Sequence, residues 1–185
     1  MLLVTMEDFA AFLRRDLDDL DAYAALLLLT AASEAVVEYA GWHIAPEVTE
    51  TITVDGSGLV VQALPTLCLA ELVAVTDNGA AQDVTQIDWS TYGVMEKRTG
   101  GSWTSRRRGV QAEIRHGFAD TPAWLATMIC ALAGRAMTTS VGIAAESAGG
   151  ESVTYATPYL APPGSIVLLD MEKTMLSRIS LPSAA

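Results

Sequence analysis

Residues 59–79, LVVQALPTLCLAELVAVTDNG, decide the fold. They are rich in Val and Leu, broken once by Pro65, and closed by Asp77-Asn78-Gly79, a strong turn signal. A strand is expected over 71–76. Upstream, VTETITVDGSGLVVQAL (48–64) alternates with a period of two, and Asp55-Gly56 predicts a turn between two strands. Downstream, DWSTYGVMEKRTGGSWTSRRRGVQAEIRHGF (88–118) predicts a strand over 88–97, a loop tip at 99–101 and a last strand over 110–115. The sequence thus predicts an antiparallel β-region of about five to six strands over 46–118.

Helical patterns flank it. Thr5 is a suitable N-cap, with Asp8 three residues on, for a helix over 6–17 carrying Phe9, Phe12 and Leu13 on one face. In D-L-D-D-L-D (16–21), Asp18 or Asp19 is expected to cap a second helix over 20–39. Leucines 26–29 make that helix apolar almost all round, so it should be buried or shared with a neighbour, and Gly41 should stop it. After the β-region, Asp120 or Thr121 is expected to cap a third helix, with Pro122 at its first position and Leu125, Met128, Ile129, Leu132 and Met137 on its apolar face. Residues 142–164 have no helical period and suggest an extended arm or long loop. Ser165 is expected to cap a final helix to about 179, with Ile166, Leu169, Met175, Leu176 and Ile179 on its apolar side. The expected class is α+β. A bundle of about four helices (1–45, 119–141 and 165–185) carries an inserted β-region (46–118) and an arm (142–164).

The 185 residues suffice for one domain with a sizeable core. Hydrophobic residues make up 51% and charged residues 18%, which excludes disorder by composition and suggests apolar surface covered by partners. An Ala-rich core would explain the same numbers. The net charge of −11 repels phosphate backbones, so sequence-specific DNA binding is not expected. An acidic lining to a passage for sliding DNA remains compatible. Cys68 and Cys130 sit in apolar runs, as buried free thiols do. The nearly apolar run 22–32 falls short of the roughly 20 residues that span a bilayer. The first residues, MLLVTMEDFAAF, lack a positive leader region. The expectation is a chain made in a cytosol with no membrane partner.

Catalytic motifs are hard to find. The carboxylates Asp16, Asp18, Asp19 and Asp21 lack the glycine and glutamate of a calcium loop and suit helix capping. His43 and His116 have no Cys or His at metal spacing, so neither a metal nor a cofactor is expected. There is no G-x-S-x-G, and neither Gly100-Gly101 nor Gly149-Gly150 has the context of a phosphate loop. No catalytic residue is assigned.

Charge is concentrated in one place. Lys97, Arg98, Arg106, Arg107 and Arg108 are five of the eleven Lys and Arg, within twelve residues that include Trp103. Three readings fit: a solvated tip, a contact with an acidic neighbour such as another copy, or a contact with DNA phosphate. Arg106, Arg107, Arg108 and Trp103 are therefore candidate partner contacts. In the arm, Tyr155 and Tyr159 would anchor on a partner if the segment is more than a linker. Ile166, Leu169 and Leu176 are candidates on the last helix.

Several of these features occur in a telling order. They run from Leu64-Pro65 through the strand and turn at 73–79 to Asp88-Trp89, Tyr92-Gly93 and Trp103. They continue with His116-Gly117-Phe118, Pro122 opening an Ala-rich helix that ends near Arg135, and ESVTY at 151–155. Over roughly 6–156 this resembles the head-to-tail adaptor (connector) proteins of long-tailed bacteriophages, in particular those of phages infecting actinobacteria. The resemblance implies a virion protein of the neck, made in the host cytoplasm and without catalytic activity. It implies a ring of copies matching the twelve-fold portal, contacts to the portal and to a tail-side stopper, and genomic DNA passing through without sequence-specific binding. The last helix departs from the pattern: it is more apolar than the basic C-terminal helix expected of the family, and suits docking on the portal.

Three rivals stand beside this expectation. One is a hydrolase using His116 and a carboxylate. Another is a nucleic-acid-binding module acting through Arg106, Arg107 and Arg108. The third is a different ring protein of the neck, a stopper or tail terminator, against which the long helices count.

Overall fold

The computed structural model describes residues 2–16, 21–138, 145–148, 151–154 and 166–182. The chain is α+β and divides into two compact units, Met1–Ala40 with Thr121–Arg178, and Gly41–Asp120 with Ile179–Ala185.

The first unit is built around helices. α1 (Met6–Leu13) starts at Thr5, whose hydroxyl oxygen accepts the Asp8 N–H at 3.1 Å and donates to the Asp8 carboxylate at 2.8 Å. It ends well before the expected residue 17. Arg14 turns left-handed (φ 54°), and the Arg15 N–H reaches back to the Ala10 carbonyl at 3.1 Å, closing the helix. α2 (Ala22–Ala40) is capped by Asp21, which accepts the Ala24 N–H at 3.1 Å. Asp18 and Asp19, the expected caps, lie outside the described residues. α2 buries Ala25, Leu29, Ala32, Val36 and Ala40, a single stripe at helical spacing. It stops at Gly41, whose φ of +78° suits a residue without a Cβ.

α3 (Ala123–Thr138) begins one residue after Pro122, whose carbonyl accepts the Leu125 N–H at 2.8 Å. Leu125, Ile129 and Leu132 form its buried stripe. α1 crosses α3 closely: a Cβ on Gly134 would sit 3.3 Å from Leu13 Cδ2. Two expectations for the C-terminal part change. Within 142–164, expected to be an extended arm or long loop, the described residues form a ribbon of two antiparallel strands, β8 (Ala145–Ala148) and β9 (Glu151–Thr154). The last helix starts four residues late. Residues 166–169 form no helix, and α4 covers Asp170–Leu176, followed by a 3-10 turn at Ser177–Ile179. The Glu172 carboxylate accepts the Leu169 N–H at 2.7 Å and so fixes that start; the expected cap, Ser165, lies outside the described residues.

The second unit is two facing antiparallel sheets. The first has the order β1 (Val48–Val54), β7 (Val110–His116), β3 (Leu69–Asp77), β4 (Ala80–Gln82). The second has the order β2 (Val61–Ala63), β6 (Val94–Lys97), β5 (Ile87–Trp89). Leu72, Val75 and Ile114 from one sheet share a core with Ile87 and Met95 from the other, and Trp103 fills it.

Three strand expectations are corrected. Asp55-Gly56 does not close a hairpin: β1 pairs with β7, and β2 pairs with β6 in the other sheet. The chain from 55 to 60 crosses between sheets along the loop before β7, with Gly56 N–H on Arg106 O (2.9 Å) and Gly58 N–H on Thr104 O (3.0 Å). Gln62 holds this crossing. It is buried, its Oε1 accepts the Ser57 N–H at 2.8 Å, and its Nε2 donates to Asp55 O and Ala63 O. The expected strand over 88–97 is a hairpin, β5 and β6, folded back at 90–93 through Gly93 (φ +72°). The strand expected over 71–76 is longer, and the Asn78-Gly79 turn joins it to β4, which the sequence pattern did not reveal.

Candidate functional site

The basic segment 97–108 joins β6 to β7, so it links the two sheets and is not a hairpin tip. Its cations divide into two kinds. Lys97 Nζ lies 2.6 Å from Asp77 Oδ2 and 4.7 Å from the Trp103 ring centre, and both its side chain and that of Asp77 are mostly buried. Arg98 Nε lies 2.6 Å from Asp88 Oδ1 at the surface. These two charges are neutralised at home. Arg106 donates through Nη1 to a neutral oxygen, Asn78 Oδ1, at 2.6 Å. The side chains of Arg107 and Arg108 have no partner among the described residues, and both residues are exposed.

Backbone bonds fix the loop under these arginines. Thr104 N–H donates to Asp77 Oδ1 (3.2 Å), Arg108 N–H to Asp55 Oδ1 (2.6 Å) and Asn78 N–H to Gly109 O (2.7 Å). Asp55 and Asp77, apparent as turn residues in the sequence, thus serve as loop holders. Their signal was an aspartate at the first position of a glycine turn, where its side chain reaches nearby N–H groups. Between the loop and the Asn78-Gly79 turn lies a cleft of about 230 Å³ lined by Arg106, Arg107, Arg108, Asn78, Gln111 and Thr76, with Gly79 and Gly109. Among the described residues, no carboxylate lines it.

Trp103, a candidate contact, is 2% exposed and fills the core of its unit, so it supports the loop from beneath and offers no surface. Leu176 is likewise buried, within the helical unit. Ile166 and Leu169 are half-buried, and Ile166 lines a shallow groove with Ala35, Tyr39, Val167 and Leu168. Tyr155 and Tyr159 lie outside the described residues.

His116 is part of a line of three groups. Its Nδ1 is 3.2 Å from Thr66 Oγ1 and its Nε2 2.9 Å from Glu50 Oε1, with the His43 ring centre 5.5 Å away. A hydroxyl, an imidazole and a carboxylate in this order resemble a nucleophile relay. Thr66, however, is fully buried and its hydroxyl also accepts the Cys68 N–H, which leaves no approach for a substrate carbonyl. The line ties β1 and β7 to the 64–68 loop. Beside it Glu47 and Glu71 bind Arg115, and their hydrogen bonds raise its pKa further above the usual arginine value. Among the described residues, no group of three His, Cys, Asp or Glu is placed to hold a metal ion.

α2, expected to be buried or shared with a neighbour, leaves one apolar side uncovered. Tyr23, Leu26 and Leu27, within one turn of each other, are 79%, 42% and 58% exposed. The same helix has the length and composition to cross a bilayer, 19 residues with a mean hydropathy of 1.3 over an 18-residue window. The shorter apolar run 22–32 understated this, because Glu34 and Glu38 interrupt the sequence without interrupting the helix. Its buried stripe packs on α3, as a core helix does. The sequence matches no protein-family model and no curated protein.

Proposed function

We propose that the chain is a structural subunit of a virion: a head-to-tail adaptor of a long-tailed bacteriophage. In this reading about twelve copies form a ring between the portal and a tail-side stopper, and genomic DNA passes through the middle. The carrying observation is the outward strip of α2, where Tyr23, Leu26 and Leu27 face away from the core. Adjacent large apolar side chains left exposed on a helix favour burial against another protein. The order of elements supports the same reading: two helices, an inserted β-region, then α3, a ribbon and α4. The net charge of −11 suits a channel that must not retain DNA.

The test is assembly. The purified chain is mixed with the portal protein of the same phage and imaged by electron microscopy, with the mass of the complex measured in parallel. A ring stacked on the portal is expected. Absence of any complex with the portal, alone or in heads, would end this reading.

A further inference from the structure

Three arginines facing one cleft with no acid in its lining are out of place on a chain with 22 Asp and Glu against 11 Lys and Arg. We infer that the cleft formed by Arg106, Arg107, Arg108 and Asn78 receives a carboxylate-bearing surface of a second copy of this chain, a deepening that rests on the ring reading above. Within the same loop Lys97 and Arg98 already have aspartate partners, whereas among the described residues no carboxylate pairs with the three arginine side chains, Arg106 meeting only the neutral Asn78 oxygen. Asp55 and Asp77 hold the loop's backbone, at 2.6 and 3.2 Å, from within the chain itself. Pre-organisation of this kind lowers the entropy lost on binding. Arg108 also adopts a left-handed backbone (φ 52°), which disfavours a residue with a side chain. The Arg108 N–H bond to Asp55 offsets that cost and keeps a guanidinium at the rim.

Charge selects the occupant. Arginine forks bind carboxylates and phosphates alike. A DNA duplex approaching the cleft would also meet the field of a −11 body, which opposes it. A second copy carries the same net charge, but its carboxylates stand among cations and do not form the unbroken phosphate row of a duplex, so a local patch of its 22 Asp and Glu can meet the arginines. Such a contact joins two different surfaces, and repeated by rotation it closes a ring.

The experiment uses the full chain with Arg107→Lys, as a mixture of ¹⁵N-labelled and unlabelled protein, assembled at high concentration or on portal. A carbodiimide then joins amines to carboxylates in direct contact. The wild type has only two lysines, Lys97 and Lys173, each beside its own aspartate, so the new amine is easily distinguished. Mass spectrometry should find mixed-isotope peptides linking position 107 to an Asp or Glu of the other copy. Replacing all three arginines with Glu should weaken copy-to-copy association by about tenfold or more with an unchanged melting temperature. If no mixed-isotope link forms at position 107 in assembled protein, the inference fails. Retention of wild type on a DNA duplex at 150 mM salt, lost in the triple variant, overturns it in favour of phosphate. If the triple variant still rings the portal, only the arginine contact is wrong. If copies associate through the arginines but ignore the portal, the adaptor reading is wrong.

Discussion

Arg135 and Glu172 meet at two points, Nη1 to Oε1 at 3.1 Å and Nη2 to Oε2 at 3.3 Å. The pair fastens α4 to α3. Glu172 also accepts the Leu169 N–H, and Arg135 Nη2 donates to Val167 O at 3.0 Å, so the approach to α4 and its first turn depend on the same carboxylate and guanidinium. Glu172→Ala removes this two-point carboxylate from a mostly buried guanidinium, which should cost about 2 kcal/mol. Urea unfolding measures the loss. Hydrogen exchange should rise first in α4, and unchanged protection there would contradict the role assigned to the pair.

Gly56 and Gly100 should respond differently to alanine. A Cβ on Gly56 would lie 2.0 Å from the Thr104 carbonyl oxygen and 2.7 Å from its carbon, both backbone atoms, so the crossing between the sheets would have to shift. A loss of about 3 kcal/mol is expected. At Gly100 a Cβ meets nothing within 4 Å, and only its φ of +74° opposes a side chain, for about 1 kcal/mol. Thermal melts of the two variants, compared directly, test this ranking.

Burial, with a smaller contribution from Asp8, pushes the Cys130 thiol up to about 11 from an ordinary value of 9.0. The folded state therefore holds its proton where the unfolded chain releases it. Stability from this group is complete below about pH 9 and declines as pH rises towards about 11. Cys130→Ala should flatten that part of the stability profile. Cys68 is raised as well, chiefly by burial and then by Glu47. Neither thiol should react quickly with a disulfide reagent at pH 8 until the chain is unfolded.

Tyr23→Ser with Leu27→Gln tests the outward strip of α2. Both side chains are largely exposed, so unfolding free energy should stay within about 0.5 kcal/mol of wild type. Attachment to portal, followed by co-sedimentation, should be lost. Normal attachment would remove the strip as the carrier of the proposed role.

The helices and β3 show which features the sequence made legible. Local rules worked where the cause was local: Thr5 caps α1, Gly41 ends α2, and Asn78-Gly79 turns β3 into its neighbour. The boundaries of β3 were hidden by its irregularity. Register shifts between Leu69 and Glu71 and between Leu72 and Ala74 add a residue each time, so Leu69, Leu72 and Val75 all point inward at intervals of three. No period-two pattern survives that. Asp55-Gly56 misled for a different reason. Its aspartate and glycine serve a neighbour some fifty positions away in sequence, Arg108 and Thr104, and a turn motif carries no information about distant partners. The arginine cluster was visible in the sequence. Which of its charges already had partners was not, because Asp77 and Asp88 reach Lys97 and Arg98 only through the folded sheets.

The β-unit leaves and rejoins the chain at neighbouring points. Phe118 N–H donates to Ile44 O at 2.7 Å, and the rings of Trp42 and Phe118 are 5.9 Å apart. The unit's two ends are therefore clasped to each other by its own residues. Trp42 Nε1 also donates to Ile179 O at 2.6 Å, which adds the C-terminal tail to the clasp. A segment with clasped ends behaves as a cassette: its loops, or the whole module, can be exchanged between proteins with little demand on the flanking helices. Diversity in what such a protein touches can then accumulate in the cassette while the helices that receive it stay the same.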